Sequence, residues 1–288
     1  MTLLGTILID GIAYGMILFL VTVGLAVTLG LMRVVNLAHG VFAMLGGYVA
    51  VYMMRQFGMR FELALVMAVV AVVMIALPVE FLLIRSVYKR SQLDQALLTI
   101  GVMFVGIALA NLAFGSTLKT LTLPSYLSGA IDIGFRYIPA QRILVVAIGV
   151  FVPLALWLLL EKTRFGNNVR ATVDNAGMAA AVGVDTKLVY MIAFAIGAGL
   201  AALGGILGAE ILPMEPTYPI KYLVIFLAVV AVGGMQSLFG TFFAAMLLGL
   251  SETAAKYLVP DLSSIVFFVI VLIVLSWRPH GLFGSART

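Results

Sequence analysis

Two carboxylates, Glu80 and Glu252, lie in long apolar stretches of this sequence and are the first candidates for chemistry. A carrier driven by an ion gradient needs ionisable groups deep in the membrane, and these residues could supply them. Each is followed about one helical turn later by a basic residue, Arg85 or Lys256. Ion pairs on helix surfaces are the simpler interpretation, and proton coupling stays open as the alternative.

The remaining reactive residues do not form a catalytic set. His39 and His280 have no second histidine or carboxylate at metal-ligand spacing, and the chain contains no cysteine. The sequence has no Ser/His/Asp or HExxH pattern and no GxxxxGK[ST] phosphate-binding loop. It therefore predicts neither an enzyme nor a metal site, and any ATP must be hydrolysed by another polypeptide.

The background to these residues is strongly apolar, with 64% hydrophobic and 10% charged residues in a chain of 288. Apolar stretches of about 20 residues match the thickness of a bilayer. We predict an all-α polytopic membrane protein, a single domain over residues 1–288, with roughly eight to ten transmembrane helices. Nine apolar segments are predicted: Ile7–Leu31, Gly40–Met54, Leu63–Ile84, Gln95–Phe114, Ile143–Leu160, Leu188–Ala209, Tyr222–Val232, Thr241–Tyr257 and Ser264–Trp277.

The second and seventh of these segments are short for a full crossing, and each adjoins polar, glycine-bearing sequence. Short segments of this kind predict broken or re-entrant helices, which face protein or a water-filled cavity. Asn36, His39 and Gln236 lie beside them. They are our candidates for polar groups in a translocation pathway, although a lone histidine at such a place is more often a hydrogen-bonding residue of a turn.

Small residues recur at helical spacing in two apolar segments. Gly11 with Gly15, Gly204 with Gly208, and Ala201 with Gly205 form small-xxx-small pairs, which allow close approach of helix backbones. The pattern predicts tight packing within the subunit. A face along the pathway or against a second membrane subunit is the alternative.

One long polar stretch, Glu161–Lys187, interrupts the apolar sequence. Within it, Val169–Val182 favours a helix, with Asp174 or Asn175 as a cap and Gly183 as a stop. An exposed linker needs no such start and stop signals. A short helix offered to a soluble partner does, and we predict a cytoplasmic coupling loop at about 161–187.

The basic residues give the orientation. If Glu161–Lys187 is cytoplasmic, most of the 17 lysines and arginines lie inside, with the N-terminus outside and the C-terminus inside. Their spread along loops explains the net charge of +5 without nucleic-acid binding. Ser116–Gln141 is then the largest outer loop, and its proline, glycine and polar residues predict an ordered cap or docking surface.

Several segments of the sequence resemble one known family. RATVDNAGMAAAVGVDTKLVYMIAFAIGAGLAALGGILGA is similar to the coupling loop and following helix of binding-protein-dependent ABC importer permeases of the branched-chain amino-acid, LivH-like type. GLAVTLGLMRVVNLAHGVFAMLGGYVA, VVAVGGMQSLFGTFFAAMLLGLSETAAKYL and the terminal RPHGLFG resemble the same family. The resemblance runs along essentially the whole chain.

The resemblance implies a subunit of the bacterial inner membrane, paired with a homologous LivM-like permease, two LivG/LivF-like ATPases that use ATP and Mg, and a periplasmic amino-acid-binding protein. This chain itself would bind no cofactor. The implied coupling segment is about Arg170–Asp185, with a core at Ala179–Gly183 in a groove of the ATPase. Its implied coupling residues are Arg170, Asp174, Ala179, Ala180, Gly183 and Asp185. Urea, short amides or other amino acids remain alternative cargoes, and an ion-coupled carrier that acts alone is the alternative of a different class.

Overall fold

A computed structural model describes residues 2–32, 34–88, 90–121, 123–132, 137–235 and 237–284. The described residues form eleven α-helices and one two-stranded hairpin. The helices are α1 (Thr2–Met32), α2 (His39–Phe57), α3 (Phe61–Leu82), α4 (Gln92–Phe114), α5 (Ser125–Ser128), α6 (Ala140–Lys162), α7 (Arg164–Ala181), α8 (Thr186–Gly208), α9 (Tyr218–Gly233), α10 (Leu238–Leu258) and α11 (Ser263–Trp277). The strands are β1 (Ala130–Asp132) and β2 (Tyr137–Pro139), which pair antiparallel.

Each predicted apolar segment coincides with one helix, and the all-α polytopic class is confirmed. By length and composition, seven helical segments of the described chain could cross a membrane, those of α1, α3, α4, α6, α8, α10 and α11. The short seventh segment is α9, with 16 residues. The second segment is longer than predicted: α2 has 19 residues, because the helix continues past the apolar run to Gly58, whose φ of 59° ends it.

Helix α1 is the centre of the bundle, with 89% of its most apolar window buried. It runs antiparallel to α8, as the contacts of Gly24 with Gly197 and of Ile17 with Gly208 show. It also runs antiparallel to α10, against which Gly11 and Gly15 lie. A third neighbour, α6, runs parallel to α1.

The predicted small-residue pairs lie at these crossings. A Cβ on Gly204 would come within 2.7 Å of the Val21 nitrogen in α1, and one on Gly205 within 2.1 Å of the Ala43 oxygen in α2. Gly208 faces Ile17, and Ala201 is fully buried. The small face of α8 therefore packs inside the subunit, as the first of the two interpretations stated, and the alternative of a pathway face is wrong for these residues because α1 and α2 cover them.

The helix order repeats within the chain. Helices α1 to α4 form a series of a long helix, an irregular segment, a second helix, a third helix, a 3-10 turn and a fourth helix, and α8 to α11 follow the same order. The 3-10 turns are Ile84–Val87 and Pro260–Leu262. Because α1 and α8 run in opposite directions, the two series are an inverted repeat, an arrangement found in many transporters.

The described part of the loop before α6 packs on the bundle, and residues 122 and 133–136 of the predicted cap at Ser116–Gln141 lie outside the described residues. The Lys119 N–H donates to the Met214 carbonyl at 2.9 Å, and Arg55 donates to the Thr120 carbonyl at 2.9 Å. The Tyr126 hydroxyl donates to Glu62, and this hydrogen bond raises the pKa of Tyr126. These contacts tie the loop to α2, to α3 and to the segment between α8 and α9.

Close packing at Gly205 gives a stability prediction. In Gly205→Ala the new methyl meets backbone atoms of α2, and separation of the helices should cost about 1–3 kcal/mol. We expect a lower unfolding temperature in detergent, measured by intrinsic fluorescence. Gly101→Ala in α4 is the matched control, since a Cβ there meets nothing within 4 Å; equal unfolding temperatures for the two variants would contradict the prediction.

Candidate functional site

The polar stretch between α6 and α8 folds as one kinked helix, α7. The Thr163 hydroxyl caps its start by accepting from the Gly166 N–H at 3.2 Å. Asn175 leaves helical geometry, with φ −156° and ψ 100°. Its side-chain oxygen accepts from the Met178 N–H at 3.0 Å, so Asn175 caps a second short helical turn. The sequence signal for a cap at Asp174 or Asn175 therefore marks a kink within a longer helix.

Gly183 takes the position after the helix that its sequence context predicted. Its φ is 90°, and its N–H donates to the Ala180 carbonyl at 3.1 Å. The Val184 N–H donates to the Ala179 carbonyl at 3.0 Å, which completes a Schellman motif. Asp185 then caps α8, because its carboxylate accepts from the Lys187 and Leu188 N–H groups at 3.1 Å each.

The second half of α7 has an exposed apolar tip. Met178 is 66% exposed and Val182 is 77% exposed, and Ala180, Ala181 and Gly183 are exposed beside them. Ala179 is 3% exposed. The expectation that Ala179 enters a partner's groove therefore needs correction, because its side chain is turned into this subunit. Met178 and Val182 have i,i+4 spacing, so helical periodicity could have placed both on one face of α7, separate from Ala179. The sequence analysis considered neither residue.

The polar residues of α7 lie on its first half. Arg170 donates to Glu161 at 2.8 Å and to the side chain of Asn167 at 2.7 Å, which fixes the guanidinium against the end of α6. Asp174 is exposed one turn later. Arg170 and Asp174 share this half of α7, whereas Ala180 and Gly183 lie on the tip and Asp185 belongs to the start of α8.

A cavity of about 550 Å³ lies between the first half of α7 and parts of α1, α6 and α10. Aromatic and aliphatic side chains of α1, α6 and α10 form its walls, and Glu161, Arg170 and Asp174 form a charged edge. Phe283 of the C-terminal segment closes another side.

A second arrangement lies inside the bundle, where α2 and α9 begin. A Cβ on Gly40 would come within 3.0 Å of Pro219 Cα, so the N-termini of the two helices meet. His39 donates from Nε2 to the Val21 carbonyl at 2.8 Å, and Val21 lies well inside the α1 span. Both helices therefore start within the membrane, as broken helices do.

The predicted pathway residues Asn36 and His39 hold this junction together. Asn36 is 1% exposed, and its side-chain oxygen accepts from the Ala38 N–H at 3.1 Å; His39 is 2% exposed. Both side chains are covered by protein, and their contact with a cargo stays a prediction. Gln236, the third candidate, lies outside the described residues.

The two membrane carboxylates are held by neighbours within the subunit. Glu252 accepts from the Tyr14 hydroxyl at 3.0 Å and pairs with Lys256 at 2.7 Å. Glu80 accepts from the Tyr88 hydroxyl and lies 4.0 Å from the Arg85 guanidinium. The predicted i,i+4 ion pair is confirmed for Glu252. Glu80 is fully buried, and its Oε2 and the Arg85 Nε have no hydrogen-bond partner in the described chain, so this contact is not the helix-surface ion pair that was expected. Among the described residues, no group of three or more His, Asp and Glu side chains is arranged to hold a metal ion.

Comparison with known proteins decides the family. A model of the branched-chain amino acid transport system / permease component family matches residues 7–275. The chain belongs to this family. It is thus a transport permease subunit and a multi-pass membrane protein rather than an enzyme.

Curated relatives match this permease along nearly its whole length. The probable branched-chain amino acid transport permease protein LivH of Methanocaldococcus jannaschii is 25% identical, over 96% of this chain and 92% of its own length. The high-affinity branched-chain amino acid transport system permease protein LivH of Escherichia coli K12 is 26% identical over 96% and 94%. BraD of Pseudomonas aeruginosa, which carries the same description, is 23% identical over 96% and 94%.

A solved structure shares the fold. "PsaBC from Streptococcus pneumoniae in complex with Fab" matches with a TM-score of 0.51 and 12% identity, over 95% of this chain and 92% of that one. At this identity the match concerns the fold alone. It supports the arrangement of the helices and says nothing of the cargo.

The kink of α7 can be tested through its cap. Asn175→Ala removes the acceptor for the Met178 N–H and should cost the tip about 1 kcal/mol. We expect amide hydrogen exchange in residues 176–182 to rise roughly fivefold, measured by mass spectrometry. Asn168→Ala, an exposed asparagine in the first half of α7, is the control. Unchanged exchange at the tip in Asn175→Ala would show that the cap does not hold it.

Proposed function

We propose that this permease forms half of the translocation pathway of an ATP-driven, binding-protein-dependent importer of branched-chain or related hydrophobic amino acids. The names of its relatives LivH and BraD support this cargo. The pathway would open alternately to the two sides of the membrane.

The observation that carries the proposal is the construction of α7. Its exposed apolar tip, Met178 and Val182, is suited to a groove on a soluble partner. The Schellman motif at Gly183 and the Asp185 cap join that tip to α8 without a flexible linker. Because α8 packs backbone to backbone on α1 and α2, a displacement of the tip is passed directly to the centre of the bundle.

The energy must come from outside this chain. Moving a two-state equilibrium from mostly one side to mostly the other needs roughly 5.5 kcal/mol of differential stabilisation. Glu252 pairs with Lys256, and Glu80 accepts from the Tyr88 hydroxyl beside Arg85, so both carboxylates are engaged within the subunit, which argues against coupling to an ion gradient. We infer that ATP and Mg bound by two partner ATPases, of the LivG and LivF kind, supply this energy through α7.

The other partners are proposed from the resemblance to the family. We propose a LivM-like permease as the second membrane subunit and a periplasmic amino-acid-binding protein that docks on the loop before α6. This assigns the N-terminus to the outside and α7 and the C-terminus to the cytoplasm of a bacterial inner membrane. Urea, short amides or other amino acids are the alternative cargoes.

The cargo can be tested by uptake of labelled leucine into vesicles that carry this permease with the subunits encoded beside it. We expect uptake that requires both ATP and the binding protein. Uptake by this chain alone, abolished by an uncoupler, would make it a secondary carrier. ATP hydrolysis stimulated by a different loaded binding protein, without leucine uptake, would replace amino acids by another cargo.

The coupling tip can be tested separately. Met178→Arg and Val182→Arg place a charge in the apolar contact and should reduce ATP-driven uptake at least tenfold, since burial of an unpaired charge costs several kcal/mol. Assembly in the membrane should stay normal because both side chains are exposed. Asn168→Arg adds the same charge to the exposed first half of α7 and should retain uptake. Full uptake in both tip variants would remove the tip from the coupling contact.

A further inference from the structure

Four helices lie side by side along one face of the bundle. Helix α4 packs on α2, α2 on α9, and α9 on α11. By the inverted repeat, α2 corresponds to α9 and α4 to α11, so this face has an approximate twofold symmetry. The outer helices α4 and α11 are among the least buried, with 17% of the window buried in each. The face is thus open to a neighbour in the membrane.

One strip of α9 is exposed on this face. Ile220 is 44% exposed and Val224 is 58% exposed, and the side chain of Lys221 lies between them with 51% exposure. The other sides of α9 are buried, including Tyr218, Tyr222 and Phe226. Lys221 is therefore directed away from the bundle.

The depth of Lys221 follows from its neighbours. It lies two residues after Pro219, which touches Gly40, and His39 bonds to Val21. Val21 is about nine residues before the end of the α1 span at Gly30, or roughly 14 Å along the helix. From Lys221, α9 continues to Gly233, which is about 18 Å further. Lys221 thus lies inside the membrane span, between its cytoplasmic end and the loop before α6, which Met214 contacts.

Lys221 has a carboxylate partner at the same depth. Its Nζ lies 2.7 Å from Oε1 of Glu215, whose side chain is 26% exposed. Glu215 belongs to the irregular segment between α8 and α9. An exposed ion pair in contact with lipid tails would be costly, so ionisable groups at this depth face protein or water. A water-filled space beside α9 satisfies both charges.

We propose that Glu215 and Lys221 line the aqueous pathway between the two permease subunits and bind the two charged ends of a zwitterionic amino acid. The Lys221 ammonium would receive the α-carboxylate, and the Glu215 carboxylate would receive the α-ammonium. The apolar neighbours Ile220 and Val224 would contact an aliphatic side chain. This proposal rests on the function proposed above and assigns the polar contacts of its cargo.

The Glu215–Lys221 pair is better suited to brief binding of an amino acid during transport than to tight binding. When the amino acid leaves, Lys221 and Glu215 neutralise each other again, so no uncompensated charge remains in the membrane. Binding replaces the Lys221–Glu215 pair and the hydration of both charges of the cargo by two ion pairs, which keeps the net gain small. A transport site needs this weakness, because its cargo must be released.

Thiol labelling tests the location, and the absence of native cysteine makes each introduced cysteine unique. In the assembled transporter, Lys221→Cys should react with a charged, membrane-impermeant methanethiosulfonate. Met74→Cys, on the exposed surface of α3 in the interior of its span, should not react. No labelling of Lys221→Cys in any state of the ATP cycle would overturn the aqueous location.

Charge variants test the contacts. In Lys221→Gln and Glu215→Gln, we expect the amount of leucine transported per ATP hydrolysed to fall about tenfold, the equivalent of one lost charge-assisted hydrogen bond. The double variant Glu215→Lys with Lys221→Glu exchanges the two charges and should recover part of the lost leucine transport per ATP. Arg60→Gln, which removes an exposed ion pair with Glu62 at a helix end, is the matched control.

The outcomes separate this proposal from the proposed function. An unchanged ratio in both charge variants, with normal leucine uptake by the unaltered protein, would overturn the zwitterion contacts alone. If the unaltered protein imports no amino acid, the proposed cargo is wrong and these contacts are overturned with it. Labelling of Lys221→Cys would still support the aqueous pathway in that case.

Discussion

Backbone contact between α1 and its neighbours is the constraint on which the structure depends. Gly24 and Gly197 approach so closely that a Cβ on Gly24 would lie 2.2 Å from the Gly197 oxygen. Lipid tails provide no hydrophobic drive between helices, so close packing must hold the bundle together. Small residues at these crossings give α1, α8 and α10 nearly rigid contacts. A movement of one is therefore transmitted to the others.

That rigid centre makes the broken helices possible. Backbone that leaves helical geometry inside a membrane must be shielded from lipid and supplied with hydrogen bonds. The Asn36 side-chain oxygen accepts from the Ala38 N–H, and the Thr99 hydroxyl of α4 accepts from the Leu37 N–H at 3.2 Å. The irregular segment before α2 is thus enclosed by protein. The corresponding segment before α9 contains Glu215 and leads to Lys221, whose side chain is exposed rather than enclosed by protein.

Coupling and transport divide between two regions of the same framework. Helix α7 lies outside the membrane spans, where Asn175 and Gly183 define a short tip by local hydrogen bonds. The α9 strip lies inside the membrane span, close to the segment that contacts the loop before α6. Helix α8 connects them, since it starts at the Asp185 cap and ends at the irregular segment before α9. A single continuous helix of 23 residues therefore joins the two regions.

The sequence by itself determined what depends on local physics. Apolar length identified nine apolar helices, of which seven are long enough to cross a membrane, and the stop residue Gly183 located the end of α7. Small residues marked the crossings of α1 with α8 and α10. These signals act within a few residues along the chain, so no tertiary information was needed to interpret them.

Tertiary structure alone decided which residues meet across the chain. Ala179 was expected on the contact face of α7, yet packing turned it inward and left Met178 and Val182 outside. The sequence pattern did not single out Glu215 and Lys221, because their significance depends on the depth and exposure of their side chains. Depth is set by the contacts of Gly40 with Pro219 and of His39 with Val21, which join residues far apart in sequence. The inverted repeat is likewise a property of helix direction, which spacing along one chain does not encode.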